Sequence, residues 1–329
     1  MDQPKIYVHR LGSWYSLYMN DENEAALSSF AEVISERDSN KPLTPDELIE
    51  RMQSCTAILS CNGEGTQEIT ADVLNSVGTI QLICIAHWCE QLVDAAKEAG
   101  IKVIEGSNAN TIAVAEWTVC AALMAIRKLH CFDKALKNGS PWAESRHNVG
   151  LLCESKIGLI GLGRIGWYVA HYFKALGTDI LAYDKNYTHE NAKQLGVKLV
   201  SLDDLMSTAD IISLHLPVTT ETKGMLGARE FALIKDGAVF INSARAELYD
   251  EDALIVELRK ARFTAYLDVY MTEPIPIKHP FLSMDNVIIT PHIAGDNRAM
   301  FLRCARESIQ TLKDYYEGKG LKDFQYSYP

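Results

Sequence analysis

The chain has 329 residues, 47% of them hydrophobic and 23% charged, the composition of an ordinary globular protein long enough for two domains with sizeable cores. Its formal net charge of −11 argues against broad contact with nucleic acid or an anionic membrane, so any basic site must be local. Eight cysteines contain no C-x-x-C pair and fall mostly in apolar runs, as buried free thiols do, which points to a reducing compartment. The first residues, M-D-Q-P-K, lack a basic region followed by an apolar core. The most apolar helical stretch, 117–126, is flanked by Glu116 and Arg127 and reads as too short to span a bilayer. A cytoplasmic protein is expected, with no membrane contact.

In chain order, Lys5–His9 reads as a strand and 22–35 as a helix. Thr44-Pro45-Asp46-Glu47 opens another helix: Thr44 can cap, Pro45 fits the first helical position and Glu47 completes a capping box. Strands are predicted at 56–60, 80–86 and 101–104, with a helix over 92–99 closed by Gly100. A long helical pattern covers 108–126, and a polar connector containing a tryptophan follows over 137–148. Alternation then resumes, with strands at 157–160, 180–183, 211–214, 238–242, 265–269 and 287–290. Helices are predicted at 164–176, from Ser201 and over 251–262, and one amphipathic helix spans 298–316. Alternating strands and helices imply parallel sheets, and six such strands complete a doubly wound one.

The most informative stretch is 156–184. An apolar run feeds Gly161, Gly163 and Gly166 at G-x-G-x-x-G spacing, a helix follows, and a second apolar run ends in Asp184. This is the strand, phosphate turn, helix, strand, acid order of a dinucleotide-binding unit. Gly161 permits the tight turn, Gly163 the close approach of a pyrophosphate and Gly166 the packing of helix on strand. Asp184 would accept from ribose hydroxyls and repel a 2′-phosphate, which selects NAD over NADP. A catalytic group should lie at the carboxyl ends of strands in the same sheet. Three polar residues stand directly beyond such strands: Arg245, Glu273 and His292. No metal is expected.

The motifs G-L-G-R-I-G (161–166), S-L-H-L-P-V-T-T-E-T (213–222), I-K-D-G-A-V-F-I-N-S-A-R (234–245), L-D-V-Y-M-T-E-P (267–274) and T-P-H-I-A-G (290–295) occur in one order, and N-T-I-A-V-A-E (110–116) precedes them. In these the chain resembles the D-isomer-specific 2-hydroxyacid dehydrogenases, which include phosphoglycerate, glycerate and D-lactate dehydrogenases and the related formate dehydrogenases. The resemblance implies an α/β fold of two open parallel-sheet domains. A Rossmann NAD-binding domain, 108–296, would be inserted into a flavodoxin-like substrate domain, 1–107 plus 297–329. It also implies NAD-dependent hydride transfer between nicotinamide and the α carbon of a D-2-hydroxy acid or 2-keto acid, and a homodimer built on the cofactor domain.

Residue by residue, the resemblance gives Arg245 the substrate carboxylate and keto oxygen, a role its planar fork suits. His292 would be the acid/base, with Glu273 on its other ring nitrogen fixing the tautomer. Asp268 would accept from the nicotinamide carboxamide. Arg164, Ile165 and Ala244 would line the cofactor, as would His215, Pro217 and Thr222 on the adenine side, with His215 a pocket wall and not a catalyst. The departure lies at 85–94, I-A-H-W-C-E-Q-L-V-D, where the family carries a glycine-containing loop that holds the substrate carboxylate. His87 and Trp88 stand there and are candidate substrate contacts. A smaller departure is Ala246 after Arg245, where glycine is common. Two alternatives stay open: a formate-dehydrogenase-like enzyme, against which the Glu273/His292 pair argues, and a non-catalytic NAD-responsive protein like the corepressors of this fold.

Overall fold

The computed structural model describes residues 3–9, 14–35, 41–61, 68–86, 89–140 and 149–321, and the chain divides into two compact units, Met1–Asn110 with Asp296–Pro329 and Thr111–Gly295. In the first unit, the apolar runs form strands β1 (Lys5–His9), β2 (Glu32–Ser35), β3 (Ala57–Ser60), β4 (Leu82–Ile85) and β5 (Lys102–Glu105). They build one parallel sheet in the order β2-β1-β3-β4-β5. Every residue of β3 and β4 is buried, as expected of parallel strands covered on both faces. Helices α1 (Trp14–Tyr18), α2 (Asp21–Ser28), α3 (Pro45–Met52), α4 (Ala71–Val77) and α5 (Glu90–Glu98) accompany it. The capping box at α3 forms as its sequence dictates: the Glu47 N–H donates to Thr44 Oγ1, and the Thr44 N–H donates to the Glu47 carboxylate at 2.8 Å.

The predicted helix over 22–35 is overturned. It ends as α2 at Ser28, and Glu32–Ser35 is the edge strand β2, where the β-branched pair Val33 and Ile34 registers against Ile6 and Tyr7. Helices α1 and α4 carried no apolar period long enough to predict, although Thr70 caps α4 through the Val73 N–H and left-handed Gly78 closes it.

In the second unit, strands β6 (Lys156–Ile160), β7 (Asp179–Tyr183), β8 (Lys198–Leu199), β9 (Ile211–Leu214), β10 (Val239–Asn242), β11 (Thr264–Leu267) and β12 (Val287–Ile289) form a second parallel sheet. Its order is β12-β11-β10-β9-β6-β7-β8. Read from β8, this is the 3-2-1-4-5-6 order of a doubly wound sheet with one further strand. The sequence predicted six of these strands; the two-residue β8 was missed. The surrounding helices are α6 (Ala109–Ile126), α7 (Leu129–Lys137), α8 (Arg164–Ala175), α9 (His189–Leu195), α10 (Leu202–Thr208), α11 (Ala228–Leu233) and α12 (Glu251–Leu258). Both faces of the sheet are buried: Phe240 packs with Phe231, Leu254 and Leu267, whereas Val239 and Ile241 pack with Ile157, Val169, Phe173 and Tyr266.

Helix α6 corrects another expectation. At 18 residues it is long and apolar enough to cross a membrane by length and composition. Half of it is buried inside the protein, and Ala115, Ala121, Ala122 and Ala125 pack into the core of the second unit. Helix α7 was not foreseen, and residues 141–148 of the expected connector lie outside the described residues. Five cysteines are buried, but Cys120, Cys131 and Cys153 are exposed, and all eight are free thiols. Helix α13 (Arg298–Tyr316) returns to the first unit, where Phe301 packs on Tyr18 and Asn23 donates to the carbonyls of Tyr18 and Leu302.

Candidate active site at the carboxyl edge of the second sheet

Strand pairing aligns one row of residues across the second sheet: Tyr183, Ile160, Leu214, Asn242, Leu267 and Ile289. At ~4.8 Å per strand the row is about 24 Å long. Every sequence-predicted site residue except His87 and Trp88 follows a member of this row. The glycine turn follows Ile160, Asp184 follows Tyr183, and His215, Pro217 and Thr222 follow Leu214. Ala244 and Arg245 follow Asn242, Asp268 and Glu273 follow Leu267, and His292 follows Ile289. His87 and Trp88 lie outside the described residues.

The strand order reverses between β6 and β9, and the glycine turn stands at that point. Gly161 has φ +99°, and a Cβ there would meet the His215 carbonyl oxygen at 2.6 Å. A Cβ at Gly166 would meet the Gly161 carbonyl oxygen at 2.2 Å, so only glycine lets α8 lie this close. A Cβ at Gly163 would meet nothing within 4 Å. Gly163 also caps α8 without a side chain, which leaves the first-turn N–H groups to face an anion. Asp184 accepts from the Leu162 N–H at 2.7 Å through one oxygen and from the Asn186 N–H at 2.8 Å through the other. Each oxygen retains a further lone pair. Lys185 beside it is held by Glu221 at 3.0 Å, and Thr222 closes the neighbouring loop by donating to the Pro217 carbonyl at 2.6 Å.

His215 is buried and its Nε2 has no hydrogen-bond partner among the described residues. Burial drives its imidazole down to about 3, so it is neutral at working pH. An unfolded chain takes up this proton from about pH 6.5 downward and the folded chain does not, so acidification destabilises the fold. Unfolding free energy should fall by about 1.6 kcal/mol in total between pH 6.5 and 5 on this account. Urea denaturation of the wild type and His215→Gln at both pH values checks it; equal slopes would refute it.

At the other end of the row, β10, β11 and β12 are consecutive neighbours, which brings their polar followers together. His292 Nδ1 and Glu273 Oε2 are 2.7 Å apart. Glu273 Oε1 accepts from the Tyr270 N–H at 3.0 Å. Burial works against the Glu273 charge, but the hydrogen bonds from His292 and Tyr270, with the nearby Arg245 charge, hold its carboxyl below the usual range. His292 has φ +53°, a conformation that L residues other than asparagine, aspartate and histidine rarely adopt. The Arg245 guanidinium is exposed and donates to the Ala244 carbonyl at 2.7 Å.

Two fully buried side chains support this edge. Asp268 accepts from Thr290 Oγ1 at 2.5 Å and from the N–H groups of Ile293 at 2.9 Å and Ala294 at 2.8 Å, clasping the segment on both sides of His292. Asn242 binds the backbone around Arg245 in a similar way. Sequence reasoning missed Asn242, Thr290 and Tyr270, whose hydroxyl donates to the Thr290 carbonyl at 2.7 Å. The available signal was a polar residue ending the apolar run A-V-F-I-N. It also missed the exposed apolar residues Val218, Met271 and Ile293 along the same edge.

Residues 119–294 match the sequence profile of the D-isomer specific 2-hydroxyacid dehydrogenase NAD binding domain. The chain belongs to this family. It is 36% identical over 260 residues to the D-3-phosphoglycerate dehydrogenase of Archaeoglobus fulgidus, covering 78% of this chain and 48% of that protein. It is 32% identical over 263 residues to the glyoxylate reductase of Aeropyrum pernix, covering 77% and 78%. A D-isomer specific 2-hydroxyacid dehydrogenase of Lactobacillus delbrueckii ssp. bulgaricus, solved in an NAD-complexed form, shares the fold with a TM-score of 0.79 at 24% identity over 97% of this chain and 99% of that one. The chain spans about half the length of the phosphoglycerate dehydrogenases it matches. As in this 2-hydroxyacid dehydrogenase family, the second unit binds NAD. Open space at Gly163, the uncapped α8 N-terminus and the free lone pairs of Asp184 fit that cofactor.

Proposed function

We propose that the chain is an NAD-dependent oxidoreductase acting between a D-2-hydroxy acid and its 2-keto acid. The observation that carries this reading is the Glu273–His292 pair at 2.7 Å on the strand end beside that of Arg245. NAD, when bound, supplies or takes up the hydride. Arg245 binds the substrate carboxylate through its fork. His292 Nε2, with Nδ1 committed to Glu273, gives a proton to the keto oxygen during reduction and takes it back during oxidation. Glu273 fixes the tautomer and stabilises the imidazolium form. Asp268 holds the His292 segment, and its remaining lone pair can accept from the cofactor carboxamide. His87 and Trp88 are proposed to shape substrate choice.

A panel of glyoxylate, pyruvate and a phosphorylated 2-keto acid, each with NADH, tests the reading. Turnover of at least one supports it; tight NADH binding without any turnover would favour the non-catalytic alternative. Asp184→Ala should weaken NADH binding about tenfold, the value of a hydrogen bond to a charged group, while improving tolerance of NADPH. Fluorescence titration measures both, and unchanged NADH affinity would remove Asp184 from the ribose site. A homodimer built on the second unit belongs to the same reading, supported by exposed Leu129 and Leu136 on α7, a helix without a buried residue. Light scattering should then give twice the 36.7 kDa chain mass.

A further inference from the structure

We propose that Asn242 is a positioning residue for Arg245, and this rests on the reading of Arg245 as the group that binds the substrate carboxylate. Asn242 is the last residue of β10 and is fully buried. Its register neighbours on the two adjoining strands are Leu214 and Leu267. A leucine at 242 would therefore suit the core as well, and burying a carboxamide there demands a separate reason. That reason is visible in two hydrogen bonds it makes to the backbone. Nδ2 donates to the Arg245 carbonyl at 2.9 Å, and Oδ1 accepts from the Ala244 N–H at 2.9 Å.

One short, planar side chain thus grips the backbone on either side of the Ala244–Arg245 peptide bond. It is itself anchored, because its own carbonyl accepts from the Asp268 N–H at 3.0 Å. Ser243 adds a second tether: it is buried, with Oγ 3.4 Å from Thr118 Oγ1 on α6. Arg245 is itself exposed, so its side chain has no core packing of its own, and its origin depends on how the flanking backbone is held between Ser243 and buried Ala246. The carboxamide sets that origin, and a bidentate clamp depends on it, since displacement of a binding group by about 1 Å can lower the rate about 100-fold. Aspartate could accept from Ala244 but could not donate to the Arg245 carbonyl.

The test uses Asn242→Ala and the isosteric Asn242→Asp, each alone and combined with Arg245→Ala, with NADH and the panel acid reduced fastest. Both single variants should lower kcat/KM about 10- to 100-fold, mostly through KM, and by much more than they weaken NADH binding, which Asn242 also touches through Ala244. A purely structural role would weaken NADH binding as much as keto-acid binding. In the Arg245→Ala background the Asn242 substitutions should cost nothing further, because their effect passes through the guanidinium. A KM within about twofold of wild type in whichever variant folds, or a full additional loss in the Arg245→Ala background, overturns the proposal. If Arg245→Ala itself keeps wild-type kcat/KM, the underlying reading fails and the proposal falls with it. If Arg245→Ala is crippled and the Asn242 variants are not, the proposal alone fails.

Discussion

His292→Ala should lower kcat for keto-acid reduction by about 10²- to 10⁴-fold, the range of a general acid/base and equivalent to about 3–5 kcal/mol of barrier. NADH affinity should change little, because the dinucleotide fingerprint lies at the β6 end of the row and His292 beyond β12. Glu273→Gln should fall between this variant and wild type. The amide can still accept from Nδ1–H, yet it carries no charge to balance an imidazolium. Steady-state kinetics with saturating NADH decides the matter. Near-normal turnover by His292→Ala would dispose of the assignment.

Arg245→Ala should raise KM for the keto acid and lower kcat/KM by about 10²- to 10³-fold, about 3–4 kcal/mol, as expected when one partner of a hydrogen-bonded charge pair is removed. Arg245→Lys keeps the charge but loses the planar fork, so it should recover only part of the loss. Removing Arg245 also takes away a positive charge that helps hold Glu273 ionised. A kcat/KM within about tenfold of wild type for the alanine variant would place carboxylate binding elsewhere.

The second unit was readable because its chemistry and its architecture share residues. Apolar runs of four or five residues name the strands, and whatever polar residue follows each run must stand at the carboxyl edge. Arg245, Glu273 and His292 could therefore be located from sequence, and the pairing of β10, β11 and β12 supplies the convergence that sequence does not contain. Asn242 escaped because its importance lies in hydrogen bonds to backbone groups, and Thr290 because its hydroxyl donates to the distant Asp268 carboxylate, contacts for which no periodicity exists. Strand β8, two residues long, is too short to show any pattern. Residues 32–35 read as helix because one amphipathic turn and one edge strand share a short apolar motif, and only pairing with β1 separates them. His87 and Trp88, where the sequence departs from its family, lie outside the described residues.

The left-handed backbone at His292 has a consequence for anyone engineering this protein. A residue with a Cβ held at φ +53° is less stable there than glycine by roughly 1 kcal/mol. His292→Gly would be retained in a selection for thermal resistance while proton transfer is lost. Heat tolerance and turnover therefore pull in opposite directions at this position, and a library ranked on melting temperature alone would drift towards well-folded, silent variants.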